Sequence, residues 1–299
     1  MIPTEILVGC NNFRLLTGAE MYVYELTREL AKRGHSVVIT SPTIGGLITE
    51  KSVEAGVKVY QSNKQIPEFK PDIIHISDYL TGPILTSRYP KIPCVSTIHS
   101  EFPMGNPFVS ERIKKYICIR ESIIEKVVKF DRINRADCIH IPNGFDIERF
   151  KPVERTMEES SDKIRVLFVG TVDKLRQATL THLQEMCEKE GHELQLVGLR
   201  LSGYMDGHKN WIKPDPEIGG IWDIEKYVHD CTITAGILLG RTKIEGCLCG
   251  NPGIIYDLNI DATIKSVKLH PVPKDAKEKY DIVNVTNQIE KVYEEAMGV

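Results

Sequence analysis

Short apolar runs alternate with helix-like segments along most of the chain, and the alternation starts twice. Glu5–Cys10 is apolar without the in-out rhythm of a one-sided sheet, which marks a strand buried on both faces. A helix is expected from about Ala19 to Lys32, with Val23, Leu26, Leu30 and Ala31 as its apolar stripe and Glu25, Arg28, Glu29 and Lys32 turned outward. Gly34 ends it, and Ser36–Thr40 is the next strand. Further strands are expected at Val57–Gln61, Asp72–Ile76, Cys94–His99 and Cys138–Ile141. Strand and helix in this order dictate a parallel sheet covered by helices on both faces.

The charged and hydroxyl-rich stretch Glu154–Asp162 interrupts the apolar signal and is the best boundary, after which the pattern restarts. Ile164–Gly170 reads as a strand, Gln177–Lys189 as a helix, Glu193–Gly198 as a strand and Leu201–Ile221 as loop. The expected domains are residues 1–152 and 153–282, followed by a closing helix in 283–299 that is free to cross back to the first. That helix spans roughly Val285–Met297, with Ile289, Val292 and Tyr293 on one face. A chain of 299 residues is long enough for two cores. Two such sheets side by side leave a cleft at their carboxyl edges, where ligands bind.

Charge and cysteine usage exclude several classes. A formal net charge of −3 gives no global reason to bind nucleic acid. The eight cysteines form no CxxC pair and fall in apolar runs, as reduced core thiols of a cytoplasmic protein would. The spacing of Cys247 and Cys249 does not fit a common zinc site. The start of the chain has no cationic apolar leader and no apolar run reaches membrane-spanning length, so neither secretion nor membrane insertion is expected.

The segment from Gly240 to Asp257 carries the most chemistry. Thr232–Leu239 reads as a buried strand, and Gly240 lets the backbone turn before a helix starting near Arg241 or Thr242. Exposed amides and the positive end of the helix dipole favour a phosphate there. Glu245, about one turn in, is placed to accept hydrogen bonds from ribose hydroxyls. Gly250 and Pro252 stop the helix before a strand at Gly253–Tyr256. The alternative is an ordinary strand-turn-helix unit with Glu245 on its surface.

Four segments together resemble glycosyltransferase family 4. They are Thr17–Glu20 with its following helix and strand, Ser96–His99, Ile141–Pro152 and Gly240–Pro252. The resemblance implies a GT-B fold of two Rossmann-like domains facing across a cleft. It also implies transfer of a sugar, with retention of configuration, from a nucleotide-diphosphate sugar such as a UDP- or GDP-sugar to an acceptor hydroxyl. The donor is expected on the second domain and the acceptor on the first. Gly18 would let the first loop approach the donor, the alternative being a plain helix start, and His99 would hydrogen-bond the transferred sugar, the alternative being a core histidine. At the strand end Gly170, Thr171 stands where the family has an arginine and Arg176 where it has a lysine, so Lys174 or Arg176 is expected to meet the diphosphate unless this is a solvated loop. Gly240, Arg241, Thr242 and Glu245 complete the donor set, and Asn143-Gly144 reads as a structural turn. Helix ends and basic side chains supply charge stabilisation without a metal, and Asp215-Pro-Glu217 reads as loop rather than a metal motif.

Two departures stand out. Ile237 occupies the position of the family's first donor-site glutamate, and Arg135–Asp137 runs almost directly into Cys138–Pro142, as if the first domain were trimmed. A silent nucleotide-sugar-binding protein and a GT-B sugar-nucleotide epimerase are therefore carried as alternatives. A Rossmann dehydrogenase is disfavoured because Gly9–Asn12 lacks GxGxxG. Glu111–Phe130 reads as one basic, apolar-striped helix, able to pack on its sheet or to rest weakly on an anionic membrane and admit a lipid-linked acceptor. Glycan, lipid, protein and modified nucleic acid all stay open as acceptors.

Overall fold

The first sheet begins with β1 (Glu5–Gly9), whose Ile6, Leu7 and Val8 are all buried, as a strand covered on both faces requires. The computed structural model describes residues 2–62, 66, 69–101, 107–152, 164–198, 211–212, 220–259 and 263–299. The chain divides into one unit of Met1–Gly144 with Lys279–Val299 and a second of Phe145–Glu278.

In the first unit β1 is followed by β2 (Asn12–Phe13), α1 (Gly18–Lys32), β3 (Ser36–Ser41), β4 (Thr43–Ile44), α2 (Gly46–Glu54) and β5 (Lys58–Gln61). Then come β6 (Ile73–Ile76), α3 (Thr81–Arg88), β7 (Cys94–Ile98), β8 (Ile113–Cys118), α4 (Glu121–Phe130) and β9 (Cys138–His140). Seven strands pair in the order β5-β3-β1-β6-β7-β8-β9, all parallel, while β2 and β4 pair separately. The strand order reverses between β1 and β6, the place where open parallel sheets bind ligands.

The second unit contains β10 (Arg165–Val169), α5 (Gln177–Glu190), β11 (Glu193–Val197), β12 (Trp211–Ile212), α6 (Ile224–Asp230) and β13 (Ile233–Ile237). It continues with α7 (Arg241–Leu248), β14 (Gly253–Leu258) and β15 (Ile264–His270); α8 (Ala276–Tyr280) and α9 (Ile282–Met297) close the chain. The order β12-β11-β10-β13-β14-β15 is parallel except for β15, which runs antiparallel beside β14, and here the reversal falls between β10 and β13.

Several expectations change. Glu111–Phe130 is not one helix: Ile113–Cys118 is a strand pairing β7 and β9, and only Glu121–Phe130 is helical. The run Tyr116–Cys118 is buried as a central strand, a pattern that a short apolar run shares with a buried helix. This strand and helix precede β9, and Arg135–Asp137 leads directly into it. Within the expected loop Leu201–Ile221, Trp211–Ile212 pairs with β11. Asp215 and Glu217, like Glu154–Asp162, lie outside the described residues.

The division falls at Gly144, not 152, because Phe145 and Phe150 belong to the second unit's interior. Both are fully buried, their rings meet edge to face at 6.3 Å, and Arg149 binds Glu225 at 2.7 Å and the Trp222 carbonyl. Glu25 and Glu29, expected outward, are buried because α9 packs on α1. Arg33 on the end of α1 bridges Glu29 at 2.9 Å and Glu290 of α9 at 2.5 Å, and Glu290 also meets His35 at 2.9 Å. A Cβ on Gly144 would lie 2.5 Å from Ile282 Cδ1 and 3.0 Å from its Cα, so the turn before the boundary needs glycine for α9 to dock.

Candidate functional site

In the second unit the expected donor residues gather where the sheet order reverses. Phe168 of β10 stands beside Ala235 of β13, which brings the turn after β10 next to the turn after β13. Gly170 donates to the Val197 carbonyl at 2.9 Å, and Gly198 follows with φ +139° so close to the Gly170 carbonyl that no Cβ fits. Thr171 follows in the loop and Lys174 is exposed at its crown. Arg176, the residue before α5, folds back so that its Nε lies 3.9 Å from a Cβ placed on Gly170, and it is ion-paired with Asp173.

Next to it, Gly240 is the N-cap of α7 with extended backbone (φ −86°, ψ 179°) and brings no capping side chain of its own. Thr242 and Glu245 are buried. Glu245 is 2% exposed, which rules out a surface glutamate; its Oε1 accepts from Arg241 Nε at 2.8 Å, one helical turn back. The Arg241 guanidinium lies 4.5 Å from the centre of the Phe145 ring, so the pair is packed as well as bonded. Leu238 in the turn before α7 takes φ +53°, a left-handed conformation costly for leucine, of the kind that clusters at ligand-binding turns. Ile237 packs against the apolar cluster of Phe168, Leu180 and Tyr256, so this position holds core rather than a carboxylate.

Sequence reasoning passed over Lys243. It is 4% exposed and its side chain lies across Gly236 and Gly253, with Nζ 3.3 Å from a Cβ placed on Gly240. The signal was the glycine spacing: Gly236, Gly240 and Gly253 leave the room that a buried lysine needs.

In the first unit His99 follows β7 and Gly18 opens α1. Tyr22, one turn beyond Gly18, meets the His99 ring edge to face at 4.9 Å. His99 Nε2 is hydrogen-bonded to Ser77 Oγ at 2.9 Å, and Arg120 donates to the His99 carbonyl at 3.1 Å while gripping Glu101 through two bonds of 2.7 and 2.6 Å. Burial first, and the Arg120 charge second, push His99 down to about 4, which keeps the imidazole neutral at physiological pH. Beneath it, His75 bonds Thr97 at 2.7 Å and Tyr293 of α9 at 2.6 Å, and Tyr22 bonds Thr97 at 3.0 Å. Burial, then the nearby His99, depress His75 to about 3. Beyond its own stretch of helix, a Cβ at Gly18 would meet no atom of the described residues within 4 Å.

Among the described residues no group of three or more His, Cys, Asp or Glu is arranged to hold a metal ion, all eight cysteines are free, and no helix is long and apolar enough to cross a membrane.

No curated protein matches the sequence. Residues 16–149 match the model of Glycosyltransferase Family 4. Among solved structures, HepE of Anabaena in complex with UDP and glucose is similar at 14% identity, over 97% of this chain and 99% of that one, with a TM-score of 0.73. A glycosyltransferase from Rickettsia africae is similar at 13% identity over 99% of both chains (TM-score 0.69), and sucrose-phosphate synthase from Thermosynechococcus elongatus at 16% over 98% and 99% (TM-score 0.67). Residues 16–149 are thus similar to glycosyltransferase family 4, and the chain as a whole has the GT-B fold of these solved structures.

Proposed function

We propose that this chain transfers a hexose from a UDP-sugar to an acceptor hydroxyl, with retention of configuration and without a metal. The observation that carries the reading is the Arg241–Glu245 pair on a helix whose N-cap is a glycine, at the switch point between β10 and β13. A leaving diphosphate gathers negative charge as the sugar becomes oxocarbenium-like, and preorganised positive groups lower that barrier. The end of α7, Arg241, Lys243 and Arg176 are assigned to the diphosphate, Lys174 and Thr171 to its outer oxygens, and Gly170, Gly240 and Thr242 to the close backbone approach. Glu245 is assigned to accept from the ribose hydroxyls. His99 contributes a neutral hydrogen bond to the transferred sugar, and Gly18 leaves room for it. Free buried thiols accord with a cytoplasmic setting.

The test is turnover of UDP-glucose and UDP-galactose against an acceptor panel in chelator, with the product anomer read by NMR. Transfer with an α-linked product supports the reading; an inverted anomer, or activity restored only by a divalent cation, refutes the corresponding part. Ile237 in the core favours one second reading, a nucleotide-sugar-binding protein without turnover. UDP binding without either transfer or donor hydrolysis would establish that reading instead. An epimerase has less support, and it would change the donor with no acceptor present.

A further inference from the structure

The inward face of α3 is settled: Thr81, Gly82 and Leu85 are buried, and Leu85 joins the core beneath the first sheet. The outward face is not that of a solvated helix. Leu80, at the N-cap, and Ile84 stand one turn apart and are 48% and 46% exposed, and Arg88 continues the same line one turn further on. Tyr79, just before the helix, is 46% exposed. A second segment runs alongside. Phe108 lies so close over Gly82 that a Cβ there would be 2.5 Å from its ring, and Arg112 donates to the carbonyls of Tyr89 at 3.2 Å and Ile92 at 2.7 Å. Residues 108–112 therefore follow α3 from its first turn to its end, and Val109 among them is 54% exposed.

Single exposed apolar residues are ordinary on a protein surface, but Tyr79, Leu80, Ile84 and Val109 gather around one eight-residue helix as a strip. The charge along it has one sign. From Tyr79 to Ser100 the chain holds no Asp or Glu while Arg88 and Lys91 are exposed, and beyond Val109 Arg112 and Lys114 outnumber Glu111. Such a strip falls far short of the roughly 20–30 residues a side that a stable protein interface uses. A bilayer asks for less: a few apolar groups entering the headgroup region, a tyrosine at the boundary and cations facing anionic lipid.

We propose that this strip docks the chain on an anionic lipid bilayer, with Leu80, Ile84 and Val109 entering the headgroup region, Tyr79 at its boundary, and Arg88 and Lys91 against the phosphates. The surface lies elsewhere than the Glu121–Phe130 helix, whose apolar Ile123, Ile124 and Val127 are buried in the core and so are not offered to a membrane. It also goes beyond the transferase reading, since none of its residues is assigned to the donor or to the transferred sugar.

The test is flotation of the full chain with vesicles of phosphatidylcholine alone and of phosphatidylcholine containing about one-third phosphatidylglycerol. The expected result is association with the anionic vesicles at least tenfold stronger than with the neutral ones, weakened by added salt. Leu80→Ser with Ile84→Ser, both at exposed positions, should lower that association about tenfold with the melting temperature held within a few degrees. Arg88→Gln should lower it about fivefold, and Phe130→Ser, on the helix that the sequence pattern offers to a membrane, should leave it unchanged. No association with anionic vesicles would overturn the proposal, as would binding that survives the double substitution or that Phe130→Ser removes. Light scattering of the chain without vesicles covers the other occupant: a dimer that the double substitution dissolves would give the strip to a second copy and overturn the lipid assignment.

Discussion

Arg241 Nε lies 2.8 Å from Glu245 Oε1, with the guanidinium stacked over Phe145 and the carboxylate almost wholly enclosed. Each group desolvates the other, so either one alone is costly, and together they form a rigid polar edge where the second sheet reverses order. Replacing Arg241 with Met is expected to weaken UDP binding about tenfold and to lower stability by about 2 kcal/mol, because Glu245 is left buried without its partner. Calorimetry and urea unfolding read the two effects separately.

Gly18 gives a sharper test of ligand contact. A methyl group there meets none of the described residues beyond its own helix, and alanine is the better helix former, so Gly18→Ala should raise stability by up to about 1 kcal/mol. A fall in transfer rate alongside that gain locates the glycine's role in the ligand. An unchanged rate assigns Gly18 to starting the helix alone.

His99 is expected to stay neutral throughout the working range. Its ring resonances should show no titration between pH 5.5 and 8, since burial and Arg120 hold it near 4. Ser77→Ala removes the bond to Nε2, and it should lower kcat more than it raises KM if ring orientation matters.

The acid limb of stability carries two opposing signs. His75 and His99, depressed to about 3 and 4, bind fewer protons folded than unfolded below about pH 6.5, so their contribution is lost as pH falls. Asp78, raised to about 7, holds a proton in the folded chain where the unfolded chain has lost it, so its effect runs the other way between about pH 4 and 7. Glu20, raised mainly by its own burial, has the same sign as Asp78, and Cys10 beside them stays a thiol. Asp78→Asn should therefore steepen the loss on acidification by up to about 1 kcal/mol per pH unit, measured by urea unfolding from pH 4 to 7.

Glu290 on α9 serves both Arg33 and His35. Glu290→Ala strands two partners and should cost about 2–4 kcal/mol in thermal or urea unfolding, while Glu54→Ala, which breaks an exposed pair with Lys51, should leave stability nearly unchanged.

The parallel strands were legible because burial on both faces writes continuous apolar runs such as Glu5–Gly9 and Ile233–Ile237, and Gly240 marked the turn that follows one of them. Ile113–Cys118 was misread because six residues with two lysines fit either period, and only pairing with β7 and β9 decides. The outward face assigned to Glu25 and Glu29 was a correct amphipathic reading of α1 alone; α9, distant in sequence, covers it. The Arg241–Glu245 spacing was visible as an i, i+4 pair, whereas the junction of Asn11 with Asp78 joins residues 67 apart and has no local signature. Lys243 was missed because a lysine in a helix is ordinarily a solvated side chain.

The most direct measurement is calorimetric titration of UDP into the wild-type chain and into Glu245→Gln, which keeps the shape and one acceptor oxygen but removes the charge. The account requires UDP to bind the wild type and the substitution to weaken it at least tenfold with the fold intact. UDP binding of equal strength in both chains would contradict the assignment of this carboxylate to the ribose.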